Sequence, residues 1–119
     1  MEKVAFSRVF NVEPNSEVFE TIYTVSSAKV LDVEEIAVSF PVSTMYQLRV
    51  YFYNGEIMIL PTDPNFPITG ENVTVTFKNP FSLFSNERLR IRLVNTSTTE
   101  TRTCIVKVEG IIRWEYILK

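Results

Sequence analysis

The chain has 119 residues, 45% of them hydrophobic and 22% charged, with a formal net charge of -2. That length is one domain, residues 1–119, able to bury roughly 65% of the surface its unfolded chain exposes without help from a metal or disulfide. The balance excludes general disorder and provides no broad positive field for nucleic acid or an anionic membrane.

Residues 4–12 and 18–25 read as β-strands. Residues 26–38 fit either a capped helix or a strand. Val30, Val33 and Val38 favour the strand by β-branching, with a bulge near Glu34-Glu35. Residues 46–60 form a hairpin divided by Asn54-Gly55, because a tight turn there needs residues tolerant of positive φ. A two-residue Asn-Gly turn sets Tyr53 opposite Glu56, Phe52 opposite Ile57 and Tyr51 opposite Met58. One face is then Leu48, Val50, Phe52, Ile57 and Ile59, which is core. The other is Gln47, Arg49, Tyr51, Tyr53, Glu56, Met58 and Leu60.

Pro61, Pro64 and Pro67 stiffen the next loop. Val73, Val75 and Phe77 alternate with polar residues, and so do Leu89, Ile91 and Leu93. Each set is a strand with one wet face. Between them, residues 79–86 are bracketed by turn residues yet carry Phe81, Leu83 and Phe84. So apolar a loop either plugs its own domain or contacts a neighbour. Residues 101–109 and 111–118 read as strands with a bend or bulge at Gly110. Ile112, Trp114, Tyr116 and Leu118 form one row of the last strand, and Ile111 and Ile117 lie on the other, as a central strand requires. About eight strands at this spacing predict an antiparallel two-sheet β-sandwich, a jelly roll in preference to an immunoglobulin-like fold.

Catalytic chemistry is sparse. Histidine is absent, which removes the commonest general base and metal ligand. The single cysteine, Cys104, leaves no internal disulfide and reads as a small buried hydrophobe. Gly55, Gly70 and Gly110 are too far apart for a phosphate loop. Asp32 with Glu34 and Glu35 is the one carboxylate group with conceivable acid, base or cation chemistry, and it reads better as an exposed surface. Asp63 reads as an Asx turn. We therefore expect no enzyme, no cofactor and no metal.

Two surfaces look unfinished. Arg49, Tyr51, Tyr53 and Met58, with Phe81, Leu83 and Phe84, are residue types that favour protein interfaces. Arg88, Arg90 and Arg92 form a line of charge at about 7 Å per step, suited to an anionic partner or to glutamates of the same sheet. The expectation is a non-enzymatic structural or assembly protein. It would be a homo-oligomer or a subunit of a larger assembly, such as a viral capsid, decoration or tail and fibre particle. The alternative is a carbohydrate- or other ligand-binding module built on Gln47, Arg49, Tyr51 and Tyr53. Nucleic acid is disfavoured by the acidic balance. The first ten residues carry early charge and no apolar signal core, and no apolar run approaches the roughly 20 residues of a membrane helix. That points to synthesis in the cytoplasm, with the virion as one destination and no membrane partner. The sequons at Asn72 and Asn95 read as Thr-rich strand ends.

Overall fold

The computed structural model describes residues 2–115. It holds β1 (Glu2–Val12), β2 (Glu17–Thr24), β3 (Lys29–Phe40), β4 (Leu48–Asn54), β5 (Ile57–Leu60), β6 (Val73–Leu83), β7 (Arg88–Asn95) and β8 (Arg102–Trp114). They form two antiparallel four-stranded sheets, in the orders β1-β8-β3-β6 and β2-β7-β4-β5. The chain is thus an all-β sandwich, as the alternation predicts.

Period-two patterning explains the core. Cys104, Val106, Val108 and Ile112 of β8 point inward, as do Leu89, Ile91 and Leu93 of β7. Leu48, Val50 and Phe52 of β4 meet Leu31, Ile36, Val38 and Phe40 of β3 in the same cluster. Each such side chain contributes about 1.5–3 kcal/mol by leaving water.

The ambiguous segment is a strand. β3 carries a register shift between Val33 and Glu35 against both β6 and β8, so the bulge falls at Glu34. Opposite it lies Gly110, where a Cβ would come within 2.7 Å of the Asp32 carbonyl oxygen and 2.9 Å of Leu31 Cδ1. The glycine does not divide two strands. It lets one 13-residue strand, β8, pass close under the bulged β3. Of the expected C-terminal rows, Ile111, Ile112 and Trp114 belong to β8, while Tyr116, Ile117 and Leu118 lie outside the described residues.

Two further expectations need correction. The hairpin turn is centred one residue later, with Asn54 paired to Ile57 and Tyr53 to Met58. Gly55, at φ 60°, takes the left-handed turn position and releases Asn54 to the strand. Moving the turn by one residue shifts each partner by two, so faces are preserved. Ile57 remains on the core side but overhangs the end of the sandwich and is 72% exposed. A further shift pairs Phe52 with Leu60, which turns Leu60 off the tyrosine face and into the core.

The second correction concerns residues 79–86. Most of the segment is strand and not loop: β6 continues to Leu83, and only residues 84–86 leave it in a turn. Asn79, at φ 46°, absorbs the extra length opposite the β3 bulge. Pro80 is tolerated because β6 is an edge strand. Leu83 is fully buried, Phe81 packs on the core, and Phe84 lies past the strand end at 50% exposure. Leu83 therefore belongs to the core of its own chain and not to a contact surface.

At the end of the sandwich where β1, β3 and β7 finish, Asn95 ties the loops together. Its Nδ2 donates to the carbonyls of Val12 (2.9 Å), Glu13 (3.2 Å) and Glu100 (2.9 Å), and its Oδ1 accepts from Ser97 N at 2.9 Å. The side chain is 2% exposed, which gives this sequon residue a structural role.

Candidate functional site

The structure brings the expected arginines and tyrosines onto one surface, the outer face of the second sheet. β7 runs between β2 and β4. Arg92 lies between Phe19 and Tyr51, and Arg90 between Thr21 and Tyr53, in cross-strand rows. Met58 continues the second row beside Tyr53. Arg49 lies on the same strand face, opposite Val94, and is exposed. Arg88 lies at the far end of β7 and is exposed. Phe81, Leu83 and Phe84 belong to the other sheet and its turn and do not join this face.

The face satisfies itself to a large degree. The Arg90 guanidinium stacks 3.9 Å from the centre of the Phe19 ring and binds Glu56 at 2.8 Å. Its Nε is buried without a hydrogen-bond partner. Arg92 binds Glu17 at 2.7 Å and lies 5.4 Å from the Tyr51 ring centre. The Glu17 carboxylate raises the Arg92 pKa further above its ordinary value. Phe19 and Tyr53 meet with centroids 4.9 Å apart and a 52° tilt. These contacts leave Tyr51 only 8% exposed. Gln47, the hydrogen-bonding member of the expected ligand set, accepts both Nε (3.0 Å) and Nη2 (2.8 Å) of Arg102. Phe19 was missed in the sequence because adjacent Val18 and Phe19 are both apolar, so hydrophobicity does not tell the two faces of β2 apart although burial alternates along it.

The residues of the carboxylate group are not gathered at one point. The β3 bulge separates its members, and each of two carries its own partner. Asp32 accepts from Ser82 Oγ at 2.6 Å and Arg113 Nε at 2.7 Å, and the Arg113 bond chiefly holds its carboxyl below the ordinary range. Glu35 pairs with Lys78, which lowers its pKa likewise. Among the described residues no three acidic or sulfur ligands cluster as a metal site would require. Asp63 Oδ1 accepts from Asn65 N at 2.9 Å, an Asx turn as read from the sequence. Burial pushes the Cys104 thiol up to about 12, far from the reactive thiolate.

A second surface was not legible in the sequence. The connection from β3 to β4 carries three non-glycine residues in the left-handed region: Ser43 (φ 75°), Met45 (φ 55°) and Tyr46 (φ 56°). Such conformations cost about 1–3 kcal/mol each and persist where their surroundings over-determine them. The Glu71 carboxylate does so here. It accepts from Met45 N at 2.6 Å and Ser43 N at 2.9 Å, a concave arrangement of amides filled by the chain's own anion. Those bonds, Met45 first, hold Glu71 below the ordinary carboxylate range. Thr44, 2% exposed, anchors the turn through Oγ1 to the Pro41 carbonyl at 2.6 Å. Tyr46 N donates to Gly70 O at 3.2 Å. The loop so fixed presents Val42 (67%), Met45 (59%) and Tyr46 (64%) to solvent. Comparison with known proteins finds no family model that matches this chain and no curated protein that matches it in sequence.

Proposed function

We propose that this chain is a non-enzymatic structural domain that works through self-association or by docking on a larger protein assembly. The observation that carries the reading is the 41–47 loop. Strained backbone and a dedicated carboxylate hold three apolar side chains in water. Burial against protein recovers what that arrangement costs. The strand orders 1-8-3-6 and 2-7-4-5 fit two Greek keys and so favour a jelly roll over an immunoglobulin-like sandwich. Domains of that architecture serve as capsid, decoration and fibre components, and the virion reading rests on this fold-level analogy. The carbohydrate alternative is weakened because Gln47 and Tyr51 are occupied within the chain.

Native mass by light scattering, from micromolar to millimolar protein, tests the proposal. The mass of the wild-type chain rises with concentration. In the variant Val42→Ser, Met45→Ser, Tyr46→Ser the mass reached at high concentration falls, with melting at dilute, unassociated protein unchanged because all three side chains are exposed. A strict monomer across the range overturns self-association, and a monomer that also binds no assembled partner overturns the reading.

A further inference from the structure

The four sheet edges are not alike. β5 is four residues long, β6 is interrupted by Asn79 and Pro80, and β2 carries a register shift between Thr21 and Tyr23. Short strands, prolines and bulges are the devices that stop an edge from pairing with another chain. β1 has none of them. It runs 11 residues in unbroken register with β8, from Glu2 opposite Ile112 to Val12 opposite Arg102. Among the described residues, no backbone hydrogen bond reaches its other edge from a neighbouring strand. Its charges do little to guard it. Glu2 and Lys3 sit at one end, and Arg8 is drawn to Glu20 of β2 at 2.5 Å.

We infer that the β1 edge pairs antiparallel with β1 of a second copy, making one continuous sheet across a two-fold axis at Ser7. This deepens the assembly reading above and rests on it. The occupant follows from self-complementarity, which an isologous contact requires. Pairing centred on Ser7 uses the whole strand and keeps each face in line, since every pair then joins two residues of the same parity. Ser7 faces Ser7, Ala5 faces Val9, Val4 faces Phe10 and Phe6 faces Arg8 of the second copy. No like charges oppose. Lys3 faces Asn11, and the diagonal neighbour beyond it is Glu13 of the second copy, of opposite charge. Val9, 59% exposed beside the 41% exposed Ile105, gains an apolar neighbour. An axis at Arg8 sets the two arginines against each other, and an axis at Phe6 opposes no like charges but pairs only residues 2–10 and leaves the end of the strand unpaired.

Cysteine cross-linking of the full chain under oxidised glutathione tests the register. Directly opposed residues in an antiparallel pair have Cβ atoms about 4.5–5.5 Å apart, close enough for a disulfide with small adjustment. The expected result is that Ser7→Cys links to itself. Ala5→Cys and Val9→Cys each fail alone but link when mixed. Cys104 stays silent because it is buried. Ser7→Lys, at an exposed position, opposes two lysines on the axis and halves the dimer mass to 13.8 kDa, with melting equal to the wild type at dilution where both are monomeric. If the wild-type chain associates, yet Ser7→Lys associates equally and no register-specific link forms, the strand pairing is overturned and the assembly reading stands. A wild-type chain that is monomeric throughout overturns the strand pairing and the self-association on which it rests.

Discussion

Substitution of Gly110 by alanine probes the packing that joins β3 to β8. An added Cβ meets Asp32 O at 2.7 Å, Leu31 Cδ1 at 2.9 Å and Val33 Cα at 3.2 Å. Two of these are backbone atoms, which cannot rotate aside. The strands must separate by several tenths of an ångström where β3 already bulges. Overpacking of this kind costs about 1–3 kcal/mol. Alanine offsets part of it, because glycine in a strand costs roughly 0.5–1 kcal/mol of extra chain entropy. The net expectation is a loss of about 1.2 kcal/mol. At roughly 2.1 cal/mol/K per residue, a chain of 119 residues has an unfolding entropy near 0.25 kcal/mol/K, so Tm falls by about 5 °C. Thermal melting and urea unfolding, with the slope m unchanged, measure it. A Gly110→Ala protein as stable as wild type refutes the claim that β8 needs glycine to pass the bulge.

Further outcomes follow from the same contacts. Asn95→Ala strands three carbonyls and one amide at a buried site and lowers stability by about 3 kcal/mol in urea unfolding. Leu83→Ala costs about 2–5 kcal/mol, while Phe84→Ala one residue later changes stability little, because one side chain is fully buried and the other half exposed. Glu71→Gln removes the charged acceptor of the 41–47 loop, so limited proteolysis cuts there faster while the global melt barely moves. Asp32 and Glu71 both have pKa values lowered on folding. Their contribution is therefore complete above the unfolded carboxylate value, about 4. It drains as pH falls through the lower folded values, and Asp32→Asn with Glu71→Gln flattens that acid limb of the stability profile.

The sandwich was legible because its strands keep strict alternation: Leu89, Ile91 and Leu93 all face inward and the intervening arginines outward. The arginine pairing with glutamates of the same sheet followed from the same pattern, although the partners, Glu17 and Glu56, come from distant chain positions that alternation does not connect. Register was harder. Asn54-Gly55 announces a turn but does not say which residue takes the left-handed position, and Gly55 alone takes it. Asn79-Pro80 announces a break, yet an edge strand accommodates both the missing N–H and the extra residue, so β6 continues to Leu83. The 41–47 loop was invisible. Its shape depends on a carboxylate 25 or more residues away, and serine, methionine and tyrosine carry no sign of left-handed backbone.

The two proposed contact surfaces occupy different parts of the molecule. The β1 edge runs along the side of the first sheet, whereas the 41–47 loop caps the end where β3 gives way to β4. One copy can therefore engage both at once. Pairing through β1 is isologous and closes at two chains. Contact through the loop is under no such constraint, and because each dimer carries two loops it can join dimers to one another or to a surface. Disrupting the loop then leaves a dimer, and disrupting the edge leaves single copies that still dock by their ends. The outer face of the second sheet need take no part. Arg90 and Arg92 already hold Glu17, Glu56 and the aromatic rings of Phe19 and Tyr51, so covering that face adds less than covering a loop whose apolar side chains stand 59–67% exposed.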